Sequence, residues 1–225
     1  MSHRSLGELP RLHRWAGLSA VGAVVLFAVA NALWAFEQPE SGASGAELLA
    51  FYDDLSGRIV VGALLSLISI ALFAVFASAL RSMLMRLEED ELLANGAFGG
   101  ALLGLAPGIG AETINMAAAL RAGDGELTEP LALALFDISY VLGSYAPGPG
   151  FGLFTLAISA AALRARALLP RWLAVVGLAF GVALITPLAA YAIGEYTIGL
   201  PFLLVLVLGV RLLRASALSA APSQA

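Results

Sequence analysis

The sequence predicts an all-α fold, a polytopic bundle of six transmembrane helices, and three observations predict it. The chain has 225 residues, 60% of them hydrophobic and only 12% charged, with a mean hydropathy of +0.90, well outside the range of water-soluble domains. Its apolar residues fall into stretches of about 20, the length that crosses about 30 Å of hydrocarbon at about 1.5 Å of rise per residue. Its arginines divide between the loops as an even number of spans requires. The whole chain, 1–225, reads as a single membrane domain.

The first span runs from about Trp15 to Phe36. Arg4, Arg11 and Arg14 precede it and Ala28-Val29-Ala30 could pass for a signal-peptide cleavage site, but the apolar run is longer than such a signal needs, so it is expected to remain as an anchor. The second and third spans run from Ile59 to Leu80 and from Ala97 to Leu120. The fourth lies within Leu131 to Leu163, kinked near 147–150, the fifth within Trp172 to Ile193, and the sixth within Glu195 to Leu213, with Pro201 in the tolerated first turn.

Placing the N-terminus in the cytoplasm puts Arg4, Arg11, Arg14, Arg81, Arg86, Arg164, Arg166, Arg171, Arg211 and Arg214 on the cytoplasmic side, against Arg58 and Arg121 outside. Both termini are therefore expected inside. All twelve basic residues are arginine, and with abundant Ala, Gly and Leu this points to a GC-rich bacterium and hence to a bacterial cytoplasmic membrane.

Between the first two spans, Ser44-Gly45-Ala46-Glu47 fits a capping box, and Leu48, Leu49, Phe51, Tyr52 and Leu55 recur at helical spacing. A short amphipathic helix on the outer membrane surface is expected there, or one that caps the bundle.

Several chemistries are excluded by composition. There is no cysteine, and the histidines are His3 and His13, ahead of the first span, so thiolate or histidine chemistry inside the membrane lacks its residues. No cofactor or metal is indicated. The acidic residues collect around Glu37 to Asp54 and in Glu88-Glu89-Asp90-Glu91, and no basic tract suggests nucleic acid as a partner. The expected partners are the lipid bilayer and a second copy or another membrane protein.

Gly96, Gly100, Gly104 and Gly108 follow one another every four residues, a ridge that lets a neighbouring helix approach closely, and Gly177 with Gly181 repeat the device. The ridge is expected to pack within the chain, with a contact between copies as the alternative.

The candidate site follows that ridge. Glu112 lies eight residues before Leu120, with Asn115 one turn on, just after Pro107 and Gly110 are expected to interrupt the helix. The fourth span enters from the same side and brings Asp137 to a similar depth, followed by Tyr140 and Ser144 on one face. A carboxylate at that depth has to face protein or water. Two of them would repel unless one is protonated or a cation lies near, and Arg58 is the expected partner of Asp137. Glu112, Asn115, Asp137, Tyr140, Ser144 and Arg58 thus form the candidate intramembrane polar cluster.

Leu131 to Leu163 is 33 residues, and Ala146-Pro147-Gly148-Pro149-Gly150 falls near its middle, where two prolines remove backbone donors. Such a break either exposes backbone groups to a substrate, as in transporters, or is a structural kink met by neighbouring hydroxyls. Ala106-Pro107-Gly108 and Ala146-Pro147-Gly148 look alike, and each is followed by Ala-Ala-Ala-Leu-Arg, but at spacings of eleven and fourteen residues, which reads as biased composition rather than a repeat.

The stretch from Phe51 through Asp53-Asp54-Leu55-Ser56-Gly57-Arg58 to Ala63, with Leu169-Pro170-Arg171-Trp172-Leu173, resembles six-helix integral membrane proteins of GC-rich bacteria. That resemblance implies the helix count and no activity. Three functions stay open: first a structural or regulatory membrane component using the glycine ridge and the outer helix, then a small transporter or permease-like protein using Glu112, Asn115, Asp137 and the broken helix, for which proton coupling would be natural. The third is an intramembrane enzyme, in which Glu112 and Asp137 would act as acid and base or hold a hard cation.

Overall fold

Backbone donors in hydrocarbon have to be met within their own segment, and this chain meets them with helices. The computed structural model describes residues 8–87, 91–164, 168–186 and 199–220. They form α1 (Glu8–Trp34), a 3₁₀ turn (Ala35–Glu37), α2 (Gly45–Leu87), α3 (Glu91–Gly123), α4 (Glu129–Ser144), α5 (Gly148–Arg164), α6 (Arg171–Ile185) and α7 (Gly199–Ala220). No strand occurs among the described residues. Five helical stretches are long and apolar enough to cross a membrane, α4 and α5 counting as one, and α6 is a shorter apolar helix of 15 residues. The end of the expected fifth span from residue 187 on, the start of the sixth at Glu195, the acidic residues Glu88 to Asp90, and Arg4 and Arg166 lie outside the described residues.

α1 packs against α2 and α7, α2 against α3, and α3 against α5. α5 reaches α7 and closes a ring, with α6 outside it on α5 and α4 laid across α2 and α3. Phenylalanines fill the centre of the ring. Phe73 has its ring centroid 5.4 Å from those of Phe154 and Phe202, 5.9 Å from Phe151 and 6.1 Å from Phe76. Where the helices touch, small residues replace these rings. Gly17 meets α7 at the Gly209 carbonyl and Leu213, and Gly209 in turn meets Ala20. Pro201 stands in the first turn of α7, as expected.

The glycine ridge of α3 packs within the chain. Gly100 lies against the backbone of α5 at Phe154 and Gly150, Gly104 against Phe151, and Gly96 against Ala157, while Gly108 turns to Ile70 of α2. Gly177 and Gly181 of α6 meet Ser159, Leu156 and Gly152 of α5.

Two expectations are corrected. The segment 44–55 is no separate surface helix: α2 runs unbroken for 43 residues, about 64 Å at the rise of an α-helix, because between the capping box and Ile59 only Gly57 disfavours helix. The box itself forms, with the Ser44 N–H and hydroxyl donating to Glu47 Oε2 at 2.7 and 2.9 Å. The apolar face of this extension caps the bundle, where Leu48, Tyr52, Leu55 and Ile59 are buried with Trp34, Ala118, Ala119, Leu127 and Phe136. Pro107 does not interrupt α3, which is continuous from Glu91 to Gly123. A single proline frees one carbonyl and the helix can carry on. The Pro147-Gly148-Pro149 run does break the chain. Ala146 N–H donates to the Val141 carbonyl and Gly148 N–H to that of Tyr145, turns that part α4 from α5.

Candidate functional site

On the Arg58 side of the phenylalanine cluster the bundle forms a partly open cavity of about 400 Å³. Its wall on α1 is a helical stripe, Phe27, Asn31, Trp34 and Gln38, at successive steps of four, three and four residues. α3 contributes Ala111, Glu112 and Asn115, and α4 contributes Ser139, Tyr140, Gly143 and Ser144. Phe202 of α7 closes the floor with Phe27, their rings 4.3 Å apart. A smaller space of about 70 Å³ lies deeper, and Glu112 borders both.

Glu112 stands eleven residues from the end of α3 and so about 16 Å along the helix from that end. Its Oε2 atom is buried and has no hydrogen-bond partner. The Ser66 hydroxyl faces it from α2. The arginines of this end are committed elsewhere, Arg58 to Glu37 at 2.7 Å and Arg121 to Glu126 at 3.9 Å. A second buried polar atom on this wall, Trp34 Nε1, also lacks a partner, with its indole lying over Gly62, where a Cβ would come within 2.6 Å of the ring. A buried donor and a buried acceptor, both unpaired, mark a place that native packing rarely leaves idle.

Next to them Asn115 is held. The Tyr52 hydroxyl donates to Asn115 Oδ1 at 3.0 Å, and Tyr52 is fully buried. Ser139, also buried, stands beside the Tyr52 hydroxyl and donates to the Phe136 carbonyl at 2.9 Å. Three helices, α2, α3 and α4, are thereby tied at one level. Tyr52→Phe leaves the Asn115 carbonyl oxygen buried and unpaired. The variant is expected to lose about 1–3 kcal/mol of stability in denaturant titration of the detergent-solubilised protein. An unchanged midpoint would show that the hydroxyl contributes nothing.

Of the six sequence candidates, Glu112, Asn115, Tyr140 and Ser144 come together around the cavity. Asp137 and Arg58 do not join them. The buried face of α4 carries Ala132, Phe136 and Ser139, and Asp137 falls on the opposite side, exposed in line with Leu133 and Val141 at intervals of four. The expected Arg58–Asp137 pair is therefore replaced by Arg58–Glu37, because the 3₁₀ turn after α1 brings Glu37 directly to α2. With the two carboxylates on different faces, they share no site for acid–base work or a cation. Among the described residues no group of three or more acidic or histidine side chains could hold a metal ion.

Asn31, Trp34, Tyr52, Ser66 and Ser139 were not legible as site residues. Asn31, Ser66 and Ser139 are single polar residues inside apolar helices, where a hydroxyl or amide often satisfies its own turn, as Asn31 does by donating to the Phe27 carbonyl at 2.8 Å. The broken helix does border the cavity. Pro147 has no N–H for the carbonyl of Gly143, and both Gly143 and Pro147 line the space around Glu112.

The chain matches no protein-family model, no curated protein and no solved structure.

Proposed function

We propose that the protein is a small-solute carrier of the bacterial cytoplasmic membrane, with both termini on the cytoplasmic side, and that its substrate binds in the Glu112 cavity. The observation that carries this reading is Glu112, which lines a cavity of about 400 Å³, within the range of small-molecule sites, and whose Oε2 atom is buried with no hydrogen-bond partner. A fold that needed only packing would have no use for an uncompensated carboxyl group in the middle of a helix bundle. The cavity extends from Gln38 at the Arg58 end to the Phe27–Phe202 floor, with the phenylalanine cluster beyond it. This is what one state of an alternating-access carrier needs: a site reached from one side and closed on the other. The break between α4 and α5 supplies a joint at the level of the site.

The absence of native cysteine makes the test direct. Single cysteines at Asn115, Gly143 and Ser144 are expected to react with a membrane-impermeant thiol reagent in the folded protein, while cysteines at Ala101 and Phe154, both buried on the far side of the floor, stay unreactive. Protection of all five positions would sink the carrier reading.

A second reading, a structural or regulatory component that binds another membrane protein, is favoured by Asp137. A carboxylate on an exposed ridge with Leu133 and Val141 suits a partner helix carrying a donor. Cross-linking through a cysteine at 137, between copies or to one other protein, would support it.

A further inference from the structure

We infer that the occupant of the Glu112 cavity is a small organic monocation, a protonated or quaternary amine, held with its nitrogen toward Glu112 and its alkyl groups among aromatic rings. The inference rests on the carrier reading and adds the class of substrate. Three features of the wall select it. Among the described residues, the formal charge on the lining is one carboxyl group and no arginine borders the cavity, so an anionic ligand would meet repulsion there. The arginines nearest in the chain are held by Glu37 and Glu126. Four aromatic side chains, Phe27, Trp34, Tyr140 and Phe202, line the same space, and ring faces attract a positive nitrogen most when water is excluded.

The third feature is the room and polarity around the carboxyl group. A bare metal ion would need several oxygen ligands, whereas Glu112 is the lone carboxylate of the wall among the described residues. An organic cation needs one counter-charge and an apolar surround, and the aromatic stripe with Gly143 and Ala111 supplies the surround. Choline is such a cation, and 3,3-dimethylbutan-1-ol has its shape without its charge.

The test uses the full-length chain with one cysteine at Ser144. Choline is expected to slow thiol labelling about tenfold at saturation relative to 3,3-dimethylbutan-1-ol at the same concentration, a preference equivalent to one charge-paired contact. Tetraethylammonium should protect likewise, and 3,3-dimethylbutyrate should not. Equal protection by choline and its neutral isostere would overturn the charge selection while leaving a small-solute carrier standing, as would labelling that no cation slows. A cysteine that never reacts would overturn both the carrier reading and this inference. To guard against a disturbed variant, the unaltered chain provides a second measurement. N-methylpyridinium, a cation that quenches indoles, should quench tryptophan emission with a saturable component that Trp34→Phe removes. Trp15 and Trp172, both 67% exposed, contribute only a linear background. Quenching that is linear throughout in the unaltered chain would count against the site.

Discussion

Gly150→Ala is expected to cost the protein several kcal/mol, more than any other single methyl group added to the bundle. A Cβ at residue 150 would overlap the Gly104 amide nitrogen and lie 2.7 Å from Gly104 Cα, and a Cβ at Gly100 would in turn meet the Phe154 amide and lie 2.9 Å from the Gly150 carbonyl oxygen. These are backbone atoms of α3 and α5 crossing at contact, so no side chain can rotate away. The helices themselves must separate, and forced overpacking typically costs about 1–3 kcal/mol even where side chains can yield. Set against a total stability of about 5–15 kcal/mol, separation of α3 from α5 would leave little folded protein. Gly99→Ala is the control. It sits beside the ridge on the same helix with nothing within 4 Å of the added atom, and it should be neutral or stabilise by about 0.4–1 kcal/mol. Dodecyl-sulfate titration of both variants in mixed micelles measures the difference. If Gly150→Ala and Gly99→Ala unfold at the same midpoint, the close crossing does not exist as described.

That crossing also shows what a single sequence makes visible in a membrane protein. A glycine every four residues is legible because nothing but close approach explains it, whereas the neighbour it approaches is not. Three glycines of the ridge face α5 and the fourth faces α2. The break at Pro147 was legible for a local reason too, since missing N–H groups need no tertiary information. The side on which Asp137 lies was not. In water, burial follows hydrophobicity and the apolar stripe names the inner face. In lipid the outer face is equally apolar, and α4 carries Leu133, Ile138 and Val141 outward as readily as Phe136 inward. Depth along a helix could therefore be counted from the sequence, while azimuth could not. Glu112, Asn115, Tyr140 and Ser144 met as depth alone suggested, and Asp137 and Arg58 departed from the cluster because depth is half of the position. Tyr52 was misplaced for the converse reason. Aromatic and amphipathic, it suited the membrane surface, but the uninterrupted α2 carries it to Asn115 instead.

Glu112 is where fold and function are expected to part company. A buried acceptor without a partner has lost its water and gained little in exchange. The Ser66 hydroxyl offers the group one hydrogen bond, a net gain of about 1 kcal/mol. Replacing the carboxyl group with an uncharged side chain of similar size should therefore not cost stability. Glu112→Gln is expected to unfold at the same denaturant concentration as the unaltered chain, and Glu112→Leu to be more stable by about 1–3 kcal/mol, the desolvation cost it removes. Binding should move in the opposite direction. With the counter-charge gone, the affinity for choline and tetraethylammonium should fall about a hundredfold or more, since losing the partner of a charge that is buried in the complex typically costs about 2–5 kcal/mol. The neutral isostere should bind as before. Glu112→Asp keeps the charge on a shorter stem and should retain part of the cation preference, which an effect of volume alone would not produce. A structural carboxyl group would give the reverse pattern, with Glu112→Gln destabilised and the ligand series unmoved. Unfolding titration and ligand protection on the same four proteins separate the two readings, because stability is predicted to hold or rise where cation binding falls.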